Sequence, residues 1–358
     1  MLIAVISEQL KLLIKKRSIE MILLTGITGF LGSHTAIQLL EKGYNVIGTL
    51  KNKNRAESIK KVIGKHTRNI NNLKIVEANL NDRDIWFDLT KNIDFIQHIA
   101  SPFPRTLPKN EMELINPAKT GTLNILEAAS ANKVKRIVIT SSVASIVYGK
   151  DKKELEKIFN ENDWTDEHNI KDSTPYFRSK TYAEKAAWNF IEKDKSGMEL
   201  TTILPGAILG PILENDYGTS ANLVIKILDG SSPALPKIGF DIVDVRSVAD
   251  LLIKAMELPE AANERFIASA GYLTLKDISL ILKRLYPNKK IPASELPNFI
   301  VRLFSNFDAT LKPILIDLGK KRKICIIKAV EKLNWKPLSV QEAVEACAKS
   351  IFELGILK

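Results

Sequence analysis

Short apolar runs alternate with amphipathic stretches through the first 206 residues, and this alternation is the first indication of the fold. Each run is short enough to be a buried strand, whereas three of the stretches between them have the length and spacing of helices. Strands that alternate with helices are typical of a parallel sheet with helices on both faces, so the pattern predicts a doubly wound α/β protein. The predicted strands are 21–25, 44–50, 73–78, 93–100, 134–142 and 200–206, and the predicted helices are 31–42, about 111–131 and about 176–194.

The alternation ends after Pro205, where Pro and Gly become frequent. A strand followed by a helix returns at 241–258, and the rest of the chain is mostly helical. We therefore expect a first domain formed by residues 21–204 together with about 240–258. A smaller, mostly helical C-terminal lobe is expected from about 205–239 together with 259–358.

Twenty residues precede the first predicted strand. Apolar residues recur at helical spacing in this segment, but it has no recognisable targeting signal because its apolar part comes before its basic part. It is either an added element or the result of a start codon assigned too early. We expect that Met21 is the native start and that residues 1–20 are an N-terminal extension that results from a start codon assigned too early.

Composition limits the classes of partner. The chain has 358 residues and a net charge of +11, but its lysines are scattered, which argues against a nucleic-acid partner. No apolar run is long enough to span a bilayer, so no membrane partner is expected. Cys325 and Cys347 form no disulfide or metal pattern and the four histidines lack ligand spacing, so we expect no metal and a reducing, cytoplasmic location. The sequence leaves open whether the protein is a monomer or a homodimer.

The first predicted strand runs into a glycine-rich turn. Gly26, Gly29 and Gly32 form G-x-x-G-x-x-G between this strand and the following helix. In such turns the first glycine permits a tight bend, the second lets the backbone approach a pyrophosphate, and the third lets helix and strand pack closely. The helix amides then face the anion, so the motif favours a Rossmann-type dinucleotide-binding domain.

The end of the second predicted strand bears on the choice of cofactor. A carboxylate there would hold the ribose 2′-hydroxyl of NAD, but the sequence has no acid before Glu57. It has Lys51, Lys53 and Arg55 instead, and cations suit a phosphate dianion. We therefore expect NADP(H) as the cofactor.

Two further stretches carry candidate catalytic groups. Tyr176 and Lys180 are four residues apart in a predicted helix, so they share one face. A nearby ammonium group stabilises a phenolate and brings the phenol into range for proton transfer. Ser142, at the end of the fifth strand, is placed to hydrogen-bond a carbonyl oxygen, and Ser141 is a close alternative.

At this point the chain resembles the extended short-chain dehydrogenases/reductases, in the group of dihydroflavonol reductases, cinnamoyl-CoA reductases and microbial aldehyde/ketone reductases. The resemblance covers about residues 21–358. It rests on the motifs TGITGFLGSH, ASPF, NPAKTGTLNILEAA, TSS, DWTD, PYFRSKTYAEKAAW, ILPGAILGP, DIVDVRSVADL and GKKRKICIIKAVEKLNWKP.

The resemblance implies roles for individual residues. Ser142 would anchor the carbonyl, Tyr176 would donate the proton, and Lys180 would tune Tyr176 and hold the nicotinamide ribose. Asn79 stands where the family usually has Asp, which makes the adenine contact different. The implied cofactor contacts are Gly26, Thr28, Gly29, Phe30, Leu31, Gly32, Lys51, Arg55, Asn79, Leu80, Ala100, Ser101, Pro102, Tyr176, Lys180, Pro205 and Ser220.

Departures from the family pattern reduce the range of expected substrates. Before the catalytic helix the chain reads HNIKDSTPYF, without the signature of cinnamoyl-CoA reductases, and SSVASIVYG lacks the Asn expected of flavonol enzymes. What remains is NADPH-dependent reduction of an aldehyde or ketone. The alternatives are an NAD-dependent sugar-nucleotide epimerase or dehydratase and a non-catalytic NADP-binding sensor. Candidate walls of the substrate pocket are Phe103, Ser145, Tyr217 and the loop 231–240.

Overall fold

The computed structural model describes residues 20–102, 110–306 and 309–358. The predicted N-terminal extension lies outside these ranges except for Glu20, and so does Phe103. None of the described helices is both long and apolar enough to cross a membrane.

A seven-stranded parallel sheet forms the centre of the molecule, and its strand order runs β11-β7-β5-β4-β1-β2-β3. All six predicted strands are present in this sheet, with bounds that differ from the prediction by a few residues. The fold class predicted from the sequence is therefore confirmed. The strands of the sheet are β1 (Met21–Thr25), β2 (Asn45–Leu50), β3 (Leu73–Glu77), β4 (Phe95–His98), β5 (Arg136–Thr140), β7 (Glu199–Pro205) and β11 (Glu264–Ala268).

Short strands form three smaller sheets. One has the order β12-β10-β8, the second pairs β13 with β9, and the third pairs β14 with β6. These strands are β6 (Ile158–Phe159), β8 (Ala207–Leu209), β9 (Leu235–Pro236), β10 (Gly239–Asp244), β12 (Gly271–Thr274), β13 (Glu295–Leu296) and β14 (Lys323–Ile324).

The helices surround these sheets. The α-helices are α1 (Phe30–Glu41), α2 (Ala56–Gly64), α3 (Arg83–Leu89), α4 (Met112–Ala131), α5 (Ala144–Val147), α6 (Pro175–Lys193), α7 (Ala221–Leu228), α8 (Val245–Glu257), α9 (Leu275–Leu285), α10 (Asn298–Phe304), α11 (Ile327–Leu333) and α12 (Val340–Glu353). Short 3-10 turns lie at Lys53–Arg55, Ile70–Asn72, Glu154–Glu156, Pro259–Ala261 and Ala309–Ile316.

Both faces of the large sheet are buried, which explains why its strands are continuous apolar runs. Ile22 and Leu24 of β1 point into a core shared with α1, α2 and α8. Leu23 points to the opposite face, into a core shared with α3, α4 and α6. The alternation along one strand thus feeds two hydrophobic layers.

The second lobe has its own core. Val224 of α7, Ile242 of β10, Ile278 of α9 and Val344 of α12 belong to one buried apolar cluster. Two elements link the lobe to the large sheet across the predicted boundaries. The first is the segment of β10 and α8: β10 pairs with β8 and β12 of the second lobe, whereas α8, which follows it, packs on the large sheet. The second is β11, which lies in the range predicted for the lobe but forms an edge strand of the large sheet.

Candidate active site

The glycine turn connects β1 to α1 at the carboxyl edge of the sheet. Gly26 has a φ of +76°, which favours glycine, and its amide donates to the carbonyl of Thr49 at 3.1 Å. A Cβ on Gly32 would lie 2.0 Å from the Gly26 carbonyl oxygen, and a Cβ on Gly26 would lie 3.0 Å from the Cα of Ala100. Only glycine fits this close approach, so the turn has the geometry that the motif predicts.

The start of α1 is open to an anion. Gly29 is the N-cap residue, and within the described residues no side chain caps this helix and no acid lies in its first turn. The amides of the first helical turn lack intrahelical acceptors, and they carry the positive end of the helix dipole. Thr28, Phe30 and Leu31 border this end, so the residues fit a diphosphate group.

Basic residues follow β2, as the sequence predicts. Lys51 is exposed, whereas Arg55 is half-buried and donates to Glu214 at 2.6 Å, with Asp216 at 3.7 Å. The Arg55 Nε atom is buried and has no hydrogen-bond partner among the described residues. A buried donor without an acceptor fits a site that receives an anion.

The predicted adenine-side residues lie at the end of β3 and along α4. Asn79 is exposed, and its side-chain oxygen accepts the amide of Asn81 at 3.2 Å. Leu80 packs against Gly121 of α4, where a Cβ would come within 2.8 Å of the leucine side chain. Leu80 is thus held by packing, and Asn79 by a local turn.

The loop before α7 lies against the glycine turn. A Cβ on Gly218 would contact the Phe30 ring at 3.4 Å, and the Arg55–Glu214 pair binds the same loop to the end of β2. Ser220, at the end of this loop, is the N-cap of α7. Tyr217 packs on the core of the second lobe. The loop that ends at Ser220 is therefore joined to the end of β2 through Arg55 and lies against the glycine turn at Phe30.

A pocket beyond the carboxyl ends of β4 and β5 brings together further predicted residues. Ala100, Ser101 and Lys180 line it, and Pro102 follows directly along the chain. The hydroxyl of Thr140, also in the wall, is buried without a partner among the described residues. Predicted cofactor residues from two separate parts of the chain thus share one cavity.

His98 lines the same pocket and is neutral. The Thr25 hydroxyl oxygen accepts the amides of Ile99 and Ala100 at 3.1 and 3.0 Å, so its proton is assigned to Nδ1 of His98 at 2.9 Å. Burial and the positive charge of Lys180 lower the pKa of His98 to about 3. The imidazole therefore adds no charge beside Lys180 at neutral pH.

The candidate proton donor stands at the start of α6. Thr174 is the N-cap, its hydroxyl accepts the Phe177 amide, and Pro175 occupies the first helical position. Burial raises the pKa of Tyr176 to about 12. Burial also lowers the pKa of Lys180 to about 8, opposed by attraction to Glu184. At neutral pH Tyr176 is a phenol and Lys180 is mostly a cation.

Glu184 is the residue that the sequence analysis missed. It lies one turn beyond Lys180 and is buried. Its carboxylate accepts the Ser141 and Ser145 hydroxyls at 2.5 Å each, and the Thr202 hydroxyl and Arg265 Nε at 2.8 Å each. It thereby binds α6 to the end of β5. The available signal was its position four residues after Lys180, on the helix face that carries Tyr176.

These contacts separate the two candidate serines. Ser141 is buried and donates to Glu184. Ser142 is half-buried, and its oxygen accepts the Ala144 amide at 3.1 Å, which leaves its own proton for a further acceptor. Ser142 is therefore the better placed of the two to bind a carbonyl oxygen.

The structure differs from one substrate prediction. Ser145, expected at the wall of the substrate pocket, is fully buried, and its hydroxyl donates to Glu184 at 2.5 Å and lies 2.7 Å from the Ser142 carbonyl oxygen. The one-turn helix α5 directs this side chain into the interior. Gly239 and Phe240, within the predicted 231–240 loop, do line a pocket.

Comparison with known families assigns the chain to a protein family. The model of a family described as the NAD dependent epimerase/dehydratase family matches residues 22–268. The chain belongs to this family. The match ends with β11, the last strand to join the large sheet.

Similar proteins narrow the group within this family. A cinnamoyl-CoA reductase of Medicago truncatula is 30% identical over 280 residues, which cover 76% of this chain and 83% of that protein. A tetraketide alpha-pyrone reductase of Arabidopsis thaliana is 31% identical over 340 residues, which cover 93% of this chain and 95% of that protein. These similarities place the chain in the reductase group that contains the cinnamoyl-CoA reductases.

A solved structure has the same architecture. The yeast methylglyoxal/isovaleraldehyde reductase Gre2, complexed with NADPH, matches with a TM-score of 0.76 and 26% sequence identity. The match covers 93% of this chain and 98% of that chain. The similarity therefore extends through the second lobe as well as the sheet.

Proposed function

We propose that the protein reduces an aldehyde or ketone to an alcohol with NADPH. The observation that carries the proposal is the buried carboxylate of Glu184, which accepts the hydroxyl of Ser141 at the end of β5 from one turn beyond Lys180. This contact ties α6, which carries Tyr176 and Lys180, to the end of β5 beside Ser142, and so supports a common site for the three residues.

The cofactor groove is supported by the fit of the chain's own residues. The glycine turn and the open start of α1 would hold the diphosphate, and Lys51 and Arg55 would hold the 2′-phosphate. When bound, NADPH supplies the hydride that is transferred to the carbonyl carbon. NADPH is favoured over NADH because Lys51 and Arg55 stand where a carboxylate would bind the 2′-hydroxyl, and the buried Nε of Arg55 has no hydrogen-bond partner among the described residues. The NADPH in the yeast Gre2 structure agrees with this choice.

The residues of the chain supply the proton and fix the carbonyl. Ser142 donates a hydrogen bond to the carbonyl oxygen and positions it. Tyr176, kept protonated by its pKa of about 12, transfers its proton to that oxygen as the carbon accepts hydride. The cationic Lys180 stabilises the phenolate that Tyr176 becomes. The products are an alcohol and the oxidised cofactor, and the phenolate is then reprotonated from solvent.

The test is turnover of a panel of aldehydes and ketones, followed by the loss of NADPH absorbance, with Tyr176→Phe as the variant. We expect kcat/KM to fall by a factor of about 10² to 10⁴, since the general acid is removed. Tyr182→Phe, the same change on the same helix, is the matched control and keeps its activity. Binding of NADPH, measured by fluorescence, remains in both variants. Full activity of Tyr176→Phe, or no reduction of any carbonyl by the native protein, would contradict the proposal.

A further inference from the structure

A second pocket opens on the C-terminal side of the candidate serine. Its wall includes Val143, Ala207 and Phe240 as apolar parts, and Asp241 and Tyr272 as polar parts. The apolar residues come from the end of the large sheet and from the three-stranded sheet of the second lobe. The pocket therefore lies where the two parts of the molecule meet.

This pocket lies next to Ser142 along the backbone. Val143 follows Ser142 in the chain, and its amide donates to the Pro205 carbonyl at 3.0 Å. The next residue, Gly206, lies directly against Asp241, because a Cβ there would be 2.2 Å from the Asp241 carbonyl oxygen and 3.1 Å from its Cβ. Ser142 and Asp241 are thus linked through one layer of backbone.

The cationic side chains beside this pocket are largely neutralised by other acids. Arg322 binds Asp172 through two nitrogens, at 2.7 and 2.8 Å, and reaches Asp317 at 3.2 Å. Lys320 pairs with the same Asp172 at 2.7 Å. Tyr148, whose ring stacks on Phe177 beside the catalytic tyrosine, donates to Asp317 at 3.1 Å. These groups hold the wall in place and are already occupied.

Asp241 differs from Asp172 and Asp317 because it has few polar partners. Within the described residues its carboxylate has no ion pair closer than 4 Å, and the one hydrogen bond it accepts is a long one of 3.4 Å from the Ser269 hydroxyl. Burial raises the pKa of Asp241 to about 6, although Lys321 and Ser269 lower it. At neutral pH the side chain is mostly an anion that lies in a pocket wall with little hydrogen bonding, so a donor from a ligand would stabilise it.

We propose that Asp241 is a specificity-determining residue that accepts a hydrogen bond from a hydroxyl or ammonium group on the body of the carbonyl substrate. The inference rests on the proposed function in that the substrate carbonyl is taken to lie at Ser142. Val143, Ala207 and Phe240 then enclose the carbon skeleton between the two ends. The substrate class is hydroxylated or aminated aldehydes and ketones, and keto acids with a carboxylate at that position are disfavoured by repulsion.

The test compares three ketones of one carbon skeleton that carry a methyl, hydroxyl or ammonium group at the far end. In the native protein kcat/KM for the hydroxyl and ammonium ketones is expected to exceed that for the methyl ketone by about tenfold or more, as for a hydrogen bond to a charged group. Asp241→Ala brings both ratios close to one. Asp241→Asn, which keeps size and an acceptor, preserves the hydroxyl preference and loses the ammonium preference. Asp229→Asn, at an exposed site of the same lobe, is the matched control and changes neither ratio.

Unchanged ratios in Asp241→Ala, or a native protein that prefers the methyl ketone, would overturn the proposal. If the Ala variant fails to fold, the loss of the ammonium preference in the near-isosteric Asn variant decides the question alone. Binding of the matching diol and simple alcohol to the NADPH-loaded protein, measured by calorimetry, separates the two hypotheses. A diol preference that Asp241→Ala weakens, with no reduction of any ketone, supports Asp241 and refutes the reductase. Reduction with no preference, and equal binding of both alcohols, supports the reductase and refutes the role of Asp241.

Discussion

Replacement of Glu184 by Gln should destabilise the protein strongly, because it breaks a buried ion pair and leaves its partners in place. The side chains of Glu184 and Arg265 are 1% and 9% exposed. An amide has no charge to offset Arg265, and its NH₂ group would face hydroxyl donors instead of accepting from them. Removal of one partner of a buried pair costs about 3–5 kcal/mol of folding free energy, and we expect Glu184→Gln to fall in that range.

The same substitution should change catalysis through Lys180. Burial lowers the pKa of Lys180 to about 8, and the negative charge of Glu184 raises it. Without that charge the pKa falls further, so the cation that supports Tyr176 is lost at a lower pH. The alkaline limb of kcat/KM for reduction therefore moves to lower pH. Because Glu184 also holds Ser141 beside Ser142, we expect kcat to fall by up to about a hundredfold, as for a displacement of about 1 Å at a reacting group.

Two measurements test this reasoning. Unfolding in denaturant gives the free-energy change, and initial rates across a pH series give the position of the alkaline limb. Glu192→Gln is the matched control, since it makes the same change at an exposed position of the same helix, where effects stay within about 0.5 kcal/mol. A loss of stability below about 1 kcal/mol would refute the ion-pair argument. A destabilised variant with an unmoved alkaline limb would refute the electrostatic link to Lys180.

Two further substitutions probe the cofactor groove. Arg55→Ala should raise KM for NADPH about tenfold or more with little effect on KM for NADH, because it removes a donor to the 2′-phosphate. Initial rates with both cofactors test this, with Arg302→Ala at an exposed position as the control. An equal rise of KM for NADH would contradict the prediction. Gly32→Ala should lower both thermal stability and NADPH affinity, since its Cβ would lie 2.0 Å from a carbonyl oxygen of the turn. Gly64→Ala, where the added Cβ meets ordinary contacts at 3.6 Å, is the comparison, and equal behaviour of the two variants would argue against the close approach.

The features that the sequence predicted are those whose signal is local. The six predicted strands are apolar runs because helices cover both faces of the sheet, and the glycine turn is marked by the close contact between Gly26 and Gly32, six residues apart. Strand β11 escaped prediction as a member of the sheet because it is an edge strand with charged residues at Glu264 and Arg265. Its place beside β7 is decided by packing far along the chain.

The polar interior of the site shows why its remaining parts had to be observed. Glu184 is joined to Ser141, which lies 43 residues away, and to Arg265, which lies 81 residues away. Neither partner has a sequence pattern that indicates the other, and the prediction for Ser145 failed for the same reason, because that serine donates to Glu184, 39 residues away.

The surroundings of Asp241, on the other side of Ser142, likewise come from segments that are far apart in the sequence. These surroundings are made by β8, β10 and the segment near residue 320, which meet only in the folded lobe. The residues that we propose to react with the carbonyl therefore lie in short motifs that can be recognised, whereas the residue that we propose to select the substrate depends on contacts between distant segments. A substitution at Asp241 can alter substrate choice without touching Tyr176 or Lys180, so a chain with this catalytic helix could change substrates while its reaction stays the same.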